Sequence, residues 1–135
     1  MPPMPEGTHM HDFLSAADAG ADGLAAIIEL AGELKKARAD ALAAGVSPVT
    51  DVLSGRSVAL VFEKPSLRTR ASFEVGVHEL GGKPLPMWNF EINLGGREAV
   101  SDVAAVLDRY VSAIVIRTFA HANLEEMAAA ATAPI

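Results

Sequence analysis

Between residues 66 and 70 the chain places two hydroxyls and two guanidinium groups, on Ser66, Arg68, Thr69 and Arg70, inside the stretch EKPSLRTRASFE. An apolar run, SVALVF, comes just before it, so the cluster falls where a strand turns into a helix. Free backbone N–H groups and the helix dipole make such a terminus attractive to anions. Arginine in a first helical turn opposes that dipole unless something negative sits there. The guanidinium fork also matches phosphate oxygens. Ser66 occupies an N-cap position, where its hydroxyl can accept a first-turn N–H. There is an ordinary alternative: serine caps are commonplace, and arginines near a helix start often point into solvent. A second cluster raises the weight of the anion reading. Arg117 ends the apolar run AIVIR, and Thr118 follows it. Two strand ends that each carry Arg and Thr toward one edge make a convergent anion site.

The elements that must position these residues follow from periodicity. From Gly23 to Leu42, the residues Leu24, Ile27, Ile28, Ala31 and Leu34 recur at helical spacing, and Gly45 and Pro48 end that helix. RSVALVFE (56–63) reads as a strand buried on both faces. Residues 66–80 return to helical spacing and stop at Gly81 and Gly82. KPLPMWNF (83–90) reads as a second strand, and Pro84 and Pro86 put it at an edge or a strand start. A loop over 91–98, a helix over 98–110, a third strand over 112–119 and a helix over 123–133 complete the chain. Strands alternating with helices predict an α/β fold: a parallel β-sheet flanked by helices, a three-layer αβα single domain. In such sheets ligands bind beyond the carboxyl ends of the strands, a condition that the loops 63–70, 90–98 and 117–122 satisfy.

Composition narrows the function classes. The net charge of −6 disfavours nonspecific nucleic-acid binding but permits a local basic pocket. The absence of cysteine excludes disulfides, zinc-thiolate sites and thiol nucleophiles, and fits a cytoplasmic protein. No cofactor and no metal are expected. No apolar run reaches the roughly 20 residues of a membrane helix. Residues 1–10 read as a disordered Pro-rich tail without a signal-peptide pattern. His78, four residues after Glu74, reads as a surface or half-buried helix residue rather than a base, and His121 as a helix N-terminal residue. Met87 and Trp88 read as sheet packing, Glu98 as a cap of the third helix, and Asp102, Asp108 and Arg109 as a solvated face.

FEKPSLRTRASFEVGVHELGG and NLGGREAVSDVAAVLDRYVSAIVIRTF together resemble the aspartate/ornithine carbamoyltransferases, in particular the ornithine branch. The resemblance runs from about Asp12 to Ile135, and the combined pattern is far more specific than either motif alone. It implies the carbamoyl-phosphate-binding domain of an enzyme that makes citrulline from ornithine in arginine biosynthesis. Ser66, Arg68 and Thr69, with backbone amides of their turn, would hold the phosphate. Arg117 would contact phosphate and carbonyl oxygen, making Arg68 and Arg117 the catalytic pair. Arg70 and Thr118 would support the turn.

Two positions depart from the family pattern. Leu67 replaces the usual hydroxyl, so only its backbone N–H remains as a donor. Asn93 stands where the ornithine branch commonly has Gln or His, in a loop that reaches a neighbouring subunit's site. The family is built on trimers with contacts largely in this domain, so a homotrimer is implied. Its members have a second, amino-acid-binding domain that 11–135 does not contain, so the chain alone is expected not to turn over substrate. A non-catalytic phosphate-binding or oligomerisation module is the competing reading. So is a carbamoyltransferase with another acceptor, such as aspartate or N-acetylornithine.

Overall fold

A computed structural model describes residues 12–135; the tail assigned to 1–10 lies outside the described residues. Strand β1 (Ser57–Phe62) is the centre of a three-stranded parallel sheet, between β2 (Lys83–Trp88) and β3 (Ala113–Arg117), in the order β2-β1-β3. Val58, Ala59, Leu60, Val61 and Phe62 are all buried, as a strand covered on both faces requires. Pro84 and Pro86 sit on β2, an edge strand, where a missing N–H can face away from the ladder.

Helices cover both faces. Val58, Leu60 and Phe62 pack against Val77 of α2 (Leu67–Glu79). Ala59, Val61 and Ile114 pack against Val103, Ala104 and Leu107 of α4 (Val100–Leu107) and Met127 of α5 (His121–Ala130). The alternation of β1 side chains thus divides the core in two, giving the three-layer α/β arrangement.

Several elements differ from the sequence-based expectation. Helix α1 runs Ala16–Ala43, starting before Gly23, with a break at Gly20 (φ 63°). The Asp18 carboxylate accepts the backbone N–H groups of Leu14 and Ser15 at 2.8 and 2.7 Å and so fixes the earlier start. The apolar stripe of α1 is not covered by the rest of the described chain: none of its residues is buried, and Ile28 is 71% exposed. The ion pair of Arg38 with Glu79 of α2, 2.8 Å at its shortest, ties the two helices. The second strand stops at Trp88, because a helical turn, α3 (Asn89–Ile92), follows; the Glu91 carboxylate accepts the Trp88 N–H at 2.8 Å. The next helix starts at Val100 with Ala99, not Glu98, at its N-cap. Asp108 does not simply face solvent. It accepts hydrogen bonds from the Thr132 hydroxyl and from the Thr132 and Ala133 amides, anchoring the segment after α5 to the end of α4.

Candidate functional site

The carboxyl ends of β1 and β3 are adjacent, with Phe62 opposite Arg117 in register. This pairing brings residues 48 positions apart into contact: Arg117 Nη1 donates to Thr69 Oγ1 at 3.1 Å. The Arg117 Nε is buried and has no hydrogen-bond partner. A buried, charged donor without a partner costs free energy, and an acceptor entering the site removes that cost. The two strand ends that carry Arg and Thr therefore do converge.

The first turn of α2 supplies the other side. Ser66 is its N-cap residue, in extended conformation, but its hydroxyl makes no capping bond, contrary to the sequence expectation. That leaves the hydroxyl and the first-turn amides open to an outside partner. No acidic residue lies in this turn. Leu67 is 76% exposed, so its side chain takes no part in the core. Arg68 is exposed and has no side-chain hydrogen-bond or ion-pair partner among the described residues. Arg70 is committed instead: its guanidinium lies 3.0 Å from the Glu74 carboxylate and 4.6 Å from the centre of the Trp88 ring. Trp88 thus does more than pack the sheet; its face stacks on a cation and ties the α2 turn to the end of β2. The arginines of the turn and the opposite strand end divide into two held in place, Arg70 and Arg117, and one, Arg68, without a partner among the described residues.

Thr118 points to a different partner. Its hydroxyl donates to the Glu63 carboxylate, which also accepts the Phe119 N–H at 3.0 Å and the Asn123 side chain at 3.4 Å. Burial pushes the Glu63 carboxyl up, but the bonds from Thr118, Phe119 and Asn123, with Lys64 nearby, outweigh it and hold its pKa below the ordinary value. Glu63 and Asn123 were not singled out from sequence. Glu63 stands next to β1 in the chain, but its partners lie more than fifty residues away, a distance no local pattern spans.

Asn93 lies apart, in the loop after α3, in left-handed conformation (φ 46°). Its carbonyl accepts the Gly96 and Arg97 amides, and no hydrogen bond joins it to Thr69 or Arg117. A cavity of about 380 Å³ has Thr69 and Arg117 in its wall beside the apolar Phe62, Phe73 and Ile116. A larger one, of about 480 Å³, lies between α1 and α2, with Lys35 and the Glu79-paired Arg38 in its wall. Among the described residues no cluster of His, Asp and Glu could hold a metal ion, and no helix is long and apolar enough to cross a membrane.

Comparison with known proteins identifies a family. Residues 11–135 match the family described as aspartate/ornithine carbamoyltransferase, carbamoyl-P binding domain. An ornithine carbamoyltransferase of Parafrankia sp. (strain EAN1pec) is 50% identical over 123 residues, which are 91% of this chain and 37% of that protein. One from Methanocaldococcus jannaschii is 52% identical over 84 residues, 62% of this chain and 28% of that protein. The crystal structure of ornithine carbamoyltransferase from Thermus thermophilus superposes with a TM-score of 0.77 at 37% identity, covering 91% of this chain and 40% of that one. The Pyrococcus furiosus enzyme gives 0.80 at 36% identity, covering 93% and 38%. The chain thus spans well under half the length of the relatives it matches. A parallel sheet with an arginine-bearing turn at its carboxyl edge, and a match along nearly all of the sequence, lead to one conclusion: the chain belongs to the aspartate/ornithine carbamoyltransferase family and corresponds to its carbamoyl-phosphate-binding domain.

Proposed function

We propose that this domain holds carbamoyl phosphate and presents its carbonyl carbon to an amine, with ornithine as the acceptor and citrulline and phosphate as products. The observation that carries the reading is the Arg117 guanidinium, which bonds Thr69 while its Nε stays buried and unpartnered. Ser66, the backbone N–H of Leu67, Arg68 and Thr69 surround the phosphate, and Arg117 reaches both phosphate and carbonyl oxygen. Arg70 and Thr118 keep the two loops in place, and Asn93, apart from them in this chain, adds its polar contact to a neighbouring subunit's site. As the amine attacks, a C–N bond forms, the C–O bond to phosphate breaks, and the amine loses a proton. Negative charge grows on the carbonyl oxygen and the departing phosphate. Fixed cations and amides aimed at those oxygens lower the barrier without a covalent enzyme intermediate.

The preference for ornithine rests on the names of the relatives. The acceptor-binding groups belong to the length of those relatives that this chain does not match. The 135 residues alone are therefore expected to give no detectable citrulline in a steady-state assay; a measurable rate would refute that. A homotrimer, a cytoplasmic location and a place in arginine biosynthesis complete the proposal. Calorimetric titration with carbamoyl phosphate tests the site itself. Arg68→Ala should weaken binding by about 1.5 to 3 kcal/mol, the worth of a charged hydrogen bond. Unchanged affinity would remove Arg68 from the site.

A further inference from the structure

We infer that Glu63 is a positioning residue for Arg117: its carboxylate is the post around which the chain turns after β3, and it sets where the guanidinium stands relative to the α2 turn. The inference rests on the anion-site reading above and assigns the site a new member.

The contacts enclose Arg117 from the residues that follow it. The Glu63 N–H donates to the Arg117 carbonyl at 2.8 Å. The Glu63 carboxylate then accepts the Thr118 hydroxyl, the Phe119 N–H at 3.0 Å and the Asn123 amide at 3.4 Å. Asn123 closes the ring by donating to Thr118 Oγ1 at 2.9 Å. Lys64 adds a cation over the Phe119 ring, 4.7 Å from its centre. Main chain and side chains of 63–64 thus grip four residues of the opposite loop and of the first turn of α5. On the far side of Glu63, the same strand end leads into Ser66 and α2. One carboxylate therefore couples the two loops that carry the cations.

Charge alone argues against placing a carboxylate here. A negative group in the neighbourhood of an anion site repels the anion. Three converging donors explain its presence, because they spend the carboxylate's lone pairs on holding backbone and side chains in one arrangement. The two accounts make opposite predictions. If Glu63 acts only through charge, its removal tightens anion binding. If it positions Arg117, its removal loosens binding despite the lost repulsion.

The test uses the whole chain with inorganic phosphate as probe, measured by calorimetry. Glu63→Ala should bind phosphate about tenfold more weakly than the unaltered chain, the scale expected when a positioned group is released. Glu63→Gln, whose amide oxygen still accepts, should lose less. Val103→Ala is the stability control: it opens a gap in the buried face of α4 and should lower the melting temperature while leaving phosphate affinity intact. Equal or tighter phosphate binding by Glu63→Ala overturns the inference and leaves the anion site standing. If Glu63→Ala does not fold, Asn123→Ala decides, because it removes a donor that holds the carboxylate and Thr118 while leaving the charge: weaker binding supports the inference, equal or tighter binding overturns it. An unaltered chain that binds no phosphate overturns the anion site, and the positioning role falls with it.

Discussion

Replacing Arg117 with alanine should change stability little without anion and markedly with it. Without anion, the wild-type chain carries a buried Nε with no partner, a burden of about 1 to 3 kcal/mol. It also gains the bond from Nη1 to Thr69, worth a comparable amount for a charged donor. Alanine removes both, so anion-free stability should change by only about 1 kcal/mol. With anion, the balance shifts. At a phosphate concentration a hundredfold above its dissociation constant, the wild-type chain should gain about 2.7 kcal/mol. Losing one charged hydrogen bond of about 1.5 to 3 kcal/mol weakens binding roughly 10- to 150-fold. At the same concentration the variant should then gain only about 0.3 to 1.4 kcal/mol. Urea unfolding in phosphate and in chloride of matched ionic strength measures both arms. The reasoning fails if the variant gains as much from phosphate as wild type does. It also fails if wild type gains nothing.

Two further outcomes concern the scaffold. Leu60 is fully buried on the central strand, among Val58, Phe62 and Val77. Leu60→Ala should cost about 2 to 5 kcal/mol in urea unfolding; a much smaller loss would mean that this side of the sheet collapses around the gap. Hydrogen bonds from the Ala133 amide and the Thr132 hydroxyl hold the Asp108 carboxyl below its ordinary value of 3.8. Its contribution is therefore fully present above pH 3.8 and is lost as pH falls through the depressed folded value. Hydrogen exchange at the Thr132 and Ala133 amides should accelerate across that interval, and Asp108→Asn should abolish the acceleration.

The parts of the fold written in local pattern were readable. The run SVALVF read as a strand covered on both faces, and Pro84 and Pro86 put the next strand at an edge or a strand start; the structure has it at an edge. The turn of α2 also stood out, because Arg68 and Arg70 oppose the helix dipole there. What sequence could not show was pairing across the sheet. Thr69 meets Arg117, and Glu63 meets Thr118 and Asn123, only after β1 and β3 come into register. Nor could periodicity reveal that Gly20 breaks α1 without ending it, since a positive φ interrupts the spacing while the chain resumes its helix. The recurrence of Leu24, Ile27, Ile28 and Leu34 predicted a helix with one apolar face. In the structure α1 sits beside α2 with that face largely open. Periodicity says which face is apolar and nothing about what lies against it. Ser66 shows a related limit. Its position at the N-cap was legible, but its hydroxyl makes no capping bond, and a hydroxyl left open at a helix start is what an anion site uses.

The central claim is that Arg117 and the α2 turn share one anion. Nitrogen-15 NMR during titration with carbamoyl phosphate tests it at the atoms concerned. The account predicts saturable shifts of the Arg117 Nε–H and of the backbone amides of Leu67, Arg68 and Thr69, all with one dissociation constant. Saturable shifts elsewhere in the molecule, with the Arg117 Nε–H unmoved, would contradict it.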